Sequence, residues 1–171
     1  NSVVTGAAEK TPSNNSAPLE LSVYDANDSS SGTVHESSIY SVRPTTFLIP
    51  RGVPSVTRLL RVDVLNGDFV PAPEVPGHAI TVTASDGDCP SGTVGRVGFP
   101  TGVGNTVTVP GGRRAAGLLP VTLAASGFAT ANAASPARCT ALLTASGPGT
   151  DPEPSNNMTK LVIDVLDRND Y

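Results

Sequence analysis

The side chains best suited to chemistry are two copies of an Asp-x-Asn-Asp run, Asp25-Ala26-Asn27-Asp28 and Asp167-Arg168-Asn169-Asp170. Two carboxylates and an amide carbonyl within four residues supply oxygen donors of the kind a hard cation takes, and Ca²⁺ requires roughly six to eight of them. Asp25, Asn27, Asp28, Asp167, Asn169 and Asp170 are therefore candidate calcium ligands. Asp86 and Asp88, in Asp86-Gly87-Asp88-Cys89, would add donors from a loop or an adjoining subunit. The same residue types also build Asx turns, in which the side chains hydrogen-bond their own backbone. Calcium is the one cofactor the sequence suggests.

The two cysteines, Cys89 and Cys139, stand in no Cys-x-x-Cys, Cys-x-x-Cys-His or Cys/His arrangement, so the expectation is neither zinc nor covalently attached haem. In an exported chain they read as one disulfide, closing a loop of about 50 residues and stabilising the fold by about 3–4 kcal/mol on the chain-entropy argument. His35 and His78 are the only histidines, and neither has a motif partner. Gly-x-Ser-x-Gly, His-Glu-x-x-His and phosphate-cradling glycine loops are all missing. A carboxylate pair such as Asp86 and Asp88 would need an aromatic sugar groove for glycoside chemistry, and the chain has three Tyr, four Phe and no Trp. It reads as a non-enzymatic protein. Arg113-Arg114 beside Gly111-Gly112 reads as a hairpin tip, and Asn14, Asn27 and Asn157 head Asn-x-Ser/Thr sequons that a eukaryotic secretory pathway could glycosylate.

The elements that must position these groups are strands. Of 171 residues, 17 are Gly and 16 Pro, charged residues make up 15%, and there is no Gln. Such a composition excludes a helical bundle or coiled coil. Alternating apolar and β-branched residues predict strands over Pro18–Tyr24, Thr45–Ile49, Ser55–Leu65, His78–Ser85, Asn105–Val109, Ala115–Ala125, Arg138–Ala145 and Thr159–Asp167. In Ser55–Leu65, Val56, Leu60, Val62 and Val64 share a face; in the last strand Leu161, Ile163 and Val165 do. Pro71–Gly77 holds three prolines and reads as loop, and Ser126–Ala134 as a short helical turn. The expected fold is all-β, an Ig-like antiparallel β-sandwich over 29–171 with an N-terminal extension strand in 1–28.

A net charge of −4 argues against nucleic acid, which needs clustered Lys and Arg. No apolar run approaches the roughly 20 residues of a membrane span. The chain begins at Asn1 without a leader-like apolar stretch, the expectation for an exported protein whose signal peptide has been removed. An extracellular or cell-surface location follows from that reading.

The chain also echoes itself. Pro12-Ser13-Asn14-Asn15 and Pro154-Ser155-Asn156-Asn157 are identical at an offset of 142, and the register continues through Leu19/Leu161, Val23/Val165, Asp25/Asp167, Asn27/Asn169 and Asp28/Asp170. Residues 1–28 thus read like the closing strand of a domain whose body is elsewhere. A lone strand carrying Leu19, Leu21 and Val23 on one side cannot bury that side alone; it must pack on its own domain or add to a neighbour's sheet.

The ending Asp151-Pro152-Glu153-Pro154-Ser155-Asn156-Asn157-Met158-Thr159, with the strand Leu161–Val165, resembles the last turn and strand of the cell-adhesion-related Ig-like repeats of bacterial surface proteins. The resemblance implies an Ig-like sandwich in an exported bacterial or archaeal protein. A second likeness, of Asp167-Arg168-Asn169-Asp170 and Asp25-Ala26-Asn27-Asp28 to the calcium-binding Asp-x-Asn-Asp after the final strand of cadherins, implies interdomain calcium. Two functions follow as expectations. One is an exported subunit forming a head-to-tail homopolymer, a filament or surface layer, with Leu19, Leu21 and Val23 setting the register of the added strand. The other is an adhesion or ligand-binding module from a tandem array, whose partner is another surface or extracellular protein.

Overall fold

Strands that bury one face each need a second sheet to cover it. The computed structural model of the chain describes residues 2–3, 16–17, 35–50, 52–68, 77–124, 127–128 and 137–167. Its strands, in chain order, are β1 (Ser2–Val3), β2 (Ser16–Ala17), β3 (Ser37–Arg43), β4 (Thr46–Ile49), β5 (Ser55–Asn66), β6 (His78–Ser85), β7 (Thr106–Val109), β8 (Arg114–Ala124), β9 (Ala137–Ser146) and β10 (Met158–Asp167). β1 and β2 pair with each other as a short antiparallel ribbon. The others form a three-stranded sheet, β3-β5-β8, and a five-stranded sheet, β4-β10-β9-β6-β7.

The two inner faces meet in one core. Leu60, Val62, Val64, Leu119, Val121 and Leu123 come from the smaller sheet; Ile80, Val82, Ala141, Leu143, Leu161, Ile163 and Val165 come from the larger. The strand order is that of an immunoglobulin-type sandwich, so the expected all-β sandwich is what the chain forms. One ladder departs from the antiparallel expectation: β4 runs parallel to β10, with Thr46 opposite Asp164 and Ile49 opposite Asp167. The chain leaves β3 in one sheet and enters β4 in the other across the cis Arg43-Pro44 peptide, where Pro44 has no N–H to give either ladder.

Seven of the predicted strands match β4 to β10 to within a residue or two. β3 was not among them. Its two buried positions are the consecutive Ser37 and Ser38, and its register shifts between Ile39 and Ser41, so no apolar alternation marks it. The predicted strand Pro18–Tyr24 lies outside the described residues. So do most of the Pro71–Gly77 loop and most of the Ser126–Ala134 turn.

The free edge of β8 is closed by the segment before it. Gly98 and Leu118 exchange both backbone bonds at 2.8 Å, Gly95 N–H donates to the Pro120 carbonyl, and Thr122 N–H donates to the Thr93 carbonyl. Gly117 permits this approach, because a Cβ there would lie 2.7 Å from Val97 Cγ1 and 2.9 Å from Phe99 Cε1. Among the described residues β3, β4 and β7 are each paired on one side only. No helix of the described residues is long and apolar enough to cross a membrane.

Cys89 and Cys139 form a disulfide with their Cα atoms 4.9 Å apart. It ties the loop after β6 to β9. This is the pairing that the isolated cysteines led us to expect.

Candidate functional site

The most chemically organised region lies at one end of the sandwich, where the lead into β3, the end of β5, the start of β6 and the turn before β10 meet. Alternation along β6 puts His78 in phase with Ile80 and Val82, so its imidazole faces inward and is buried. A buried imidazole needs hydrogen-bond partners on both nitrogens. His78 Nδ1 lies 3.0 Å from Asp68 Oδ2, and Nε2 lies 2.8 Å from Ser37 Oγ. His35 Nδ1 reaches the same Asp68 oxygen at 2.8 Å, and the two rings lie 4.8 Å apart at a tilt of 52°.

Asp68 is itself held in place. Its Oδ1 accepts from Glu36 N–H at 2.6 Å, and its own N–H donates to Asn66 Oδ1 at 2.9 Å. Asn66, buried at the end of β5, in turn donates from Nδ2 to the Val109 carbonyl at 2.7 Å. Ser37 N–H donates to Asp151 Oδ2 at 2.9 Å. Gly147 leaves room for the hydroxyl, since a Cβ there would come within 2.3 Å of Ser37 Oγ.

The turn before β10 completes the cluster. Asp151 Oδ1 caps Glu153 N–H at 2.9 Å, and Asn156 Nδ2 donates to Glu36 Oε1 at 2.7 Å. Glu36 Oε2, Asn156 Oδ1 and Asn157 Oδ1 are buried and have no hydrogen-bond partner among the described residues. Burial pushes the Glu36 carboxyl above its ordinary range against the Asn156 hydrogen bond, and the Asp151 carboxylate adds to the rise. Burial pushes the His78 imidazole below its ordinary range, against the pull of Asp68. A neutral His78 then carries its proton on Nδ1, toward Asp68, and accepts from Ser37 at Nε2.

Ser37, His78 and Asp68 therefore stand in the hydrogen-bond order of a nucleophile, a base and an orienting acid. Ser37, however, has no exposed surface, so in this structure no substrate reaches its hydroxyl. What the arrangement does is fasten the polypeptide at residues 35–37 from both flanks: His35 N–H also donates to the Thr150 carbonyl, and Gly67 N–H to the Glu36 carbonyl. The donor atoms of His35, Asp68 and His78 all lie within 4.8 Å of one another, close enough to hold one metal ion.

The sequence assigned neither histidine a partner; the fold supplies one in Asp68, 33 residues from His35 and 10 from His78. The residues singled out for calcium fall elsewhere. Asp25, Asn27, Asp28, Asn169 and Asp170 lie outside the described residues, and Asp167 is described only as the last backbone position of β10. Asp86 is engaged by backbone amides, accepting from Gly92 N–H and Val94 N–H at 2.8 Å each. Asp88 accepts from Thr140 N–H. Both act as turn organisers. Leu19, Leu21 and Val23 also lie outside the described residues. Arg114 stacks over the Tyr40 ring at 3.4 Å, which accounts for one of the two arginines at the hairpin tip.

No protein-family model matches the chain, and no curated protein matches it in sequence.

Proposed function

We propose that the protein is an exported structural subunit that assembles head-to-tail into an extracellular filament or surface layer, its N-terminal segment adding a strand to the sheet of the next copy. One observation carries the reading. β10, preceded by the Pro154–Asn156 turn, is a central strand between β9 and β4, and its Leu161, Ile163 and Val165 are at most 1% exposed. Pro12–Asp28 repeats that turn and strand at an offset of 142, placing Leu19, Leu21 and Val23 at the three buried positions. A segment that copies a fully enclosed strand carries the side chains to be enclosed itself.

The single-sided strands suit the role of acceptor. β3 is seven residues long, as is Pro18–Tyr24, whereas the edge of β8 is already occupied by residues 93–98. Main-chain hydrogen bonds would supply affinity and the alternating apolar residues the register. Repeated, this heterologous contact builds an open filament. The intact disulfide suits an oxidising, extracellular setting.

Negative-stain microscopy of the purified protein tests the proposal. Filaments that are lost on deleting residues 1–24, and on the single change Leu21→Asp, support strand addition; filaments that survive both overturn it. The 142-residue offset also favours a second reading, an adhesion module within a tandem array. That reading predicts single particles and a reading frame that continues into further repeats of about this length.

A further inference from the structure

We propose that His35, Asp68 and His78 form a binding site for one divalent transition-metal ion of the zinc type. The site does not depend on the assembly reading. Two imidazoles and a carboxylate are a donor set for Zn²⁺ and its late first-row neighbours, distinct from the all-oxygen set that calcium takes.

The geometry carries the proposal. Both Nδ1 atoms converge on Asp68 Oδ2, at 2.8 and 3.0 Å. A tetrahedral ion with bonds of about 2.0–2.1 Å needs ligand atoms roughly 3.3 Å apart, so each nitrogen–carboxylate contact has to open by only a few tenths of an ångström, and all three donor atoms already lie within 4.8 Å of one another. The three ligands come from separate segments, the lead into β3, the residues after β5 and the start of β6. One ion would therefore pin all three.

The groups behind two of the three ligands, His78 and Asp68, are also in place. Metal-bound histidines hold their far nitrogen in a hydrogen bond, and metal-bound carboxylates have their free oxygen engaged. Ser37 Oγ meets His78 Nε2 at 2.8 Å, and Glu36 N–H meets Asp68 Oδ1 at 2.6 Å. A hydroxyl can donate or accept, so Ser37 serves either tautomer of His78. With Nδ1 on the metal, the imidazole carries its proton on Nε2 and donates to Ser37. Charge agrees with this: among the described residues, the ion pairs of Asp68 are with the two histidines, and no lysine or arginine neutralises it. The His35 side chain is 17% exposed, against 5% for His78, so an ion enters past His35.

The test uses the full chain, stripped with a chelator and returned to metal-free buffer. Zn²⁺ is added in a calorimetric titration, and Co²⁺ is added while the visible spectrum is recorded. The expected result is one ion per chain, the absorption of four-coordinate Co²⁺, and a higher unfolding temperature with Zn²⁺. His35→Ala leaves the Ser37–His78–Asp68 hydrogen bonds intact and should weaken Zn²⁺ binding at least tenfold; Asp68→Asn should do the same. Folded wild-type protein that takes up no Zn²⁺ at micromolar concentration would overturn the proposal. So would His35→Ala and Asp68→Asn variants that bind as tightly as wild type.

Discussion

The Ser37 hydroxyl and His78 Nε2, 2.8 Å apart in the interior, join the first strand of the smaller sheet to β6 of the larger. Other contacts between the two inner faces are largely apolar and non-directional. This one fixes a single position of β3 against β6.

Replacing Ser37 with Ala should therefore cost more than its size suggests. The methyl fits, but His78 Nε2 is left buried without a partner, a loss of about 1–3 kcal/mol. Urea unfolding in the presence of chelator would measure it. Ser37→Thr, which keeps the hydroxyl, should recover part of the difference.

Glu36→Gln should act in the opposite direction. The carboxylate has one buried oxygen with no donor among the described residues and has Asp151 nearby, so its charge opposes folding at neutral pH. Glutamine keeps the acceptor for Asn156 and offers an N–H₂ donor in place of the unpaired oxygen. A gain of about 1 kcal/mol in unfolding free energy at pH 7 is expected, and a loss of that size would show that the charge itself is needed.

Much of this architecture is legible in the sequence. The period-two runs of Val, Leu and Ile locate β4 to β10, and the isolated cysteines locate the disulfide. β3 escapes because its buried positions are serines and a bulge breaks its period. The polar cluster escapes for a different reason: His35, Asp68 and His78 lie at separations no local motif uses and meet only when β3, β5 and β6 are assembled. One signal for it was present. His78 falls in the inward phase of Ile80 and Val82, and an inward histidine requires a polar partner from elsewhere in the chain.

Removing the disulfide as Cys89→Ala with Cys139→Ala should lower stability by about 3–4 kcal/mol, the loop-closure contribution of a cross-link spanning 50 residues. Reduction of the wild-type protein should move its thermal unfolding toward that of the double variant. Equal stability of the oxidised wild type and the double variant would argue that the loop after β6 is already held by Asp86 and Asp88.

Gly117→Ala tests the closure of the β8 edge. The added Cβ would press on Val97 and Phe99, displacing the segment that hydrogen-bonds to Leu118 and Pro120. A destabilisation of about 1–3 kcal/mol is expected, with faster amide exchange at Gly98 and Leu118 than at Ile80 or Leu143. Unchanged exchange at Gly98 would mean that the segment holds its place without the glycine.

The parallel pairing of β4 with β10 has a mechanical consequence. Tension drawn between the start of β4 and the end of β10 pulls two parallel neighbours past each other along their length. The four aligned positions from Thr46 to Ile49 are then loaded together in shear, whereas an antiparallel pair pulled from its open end would peel one rung at a time. The ladder that departs from the antiparallel pattern is the one best placed to resist stretching.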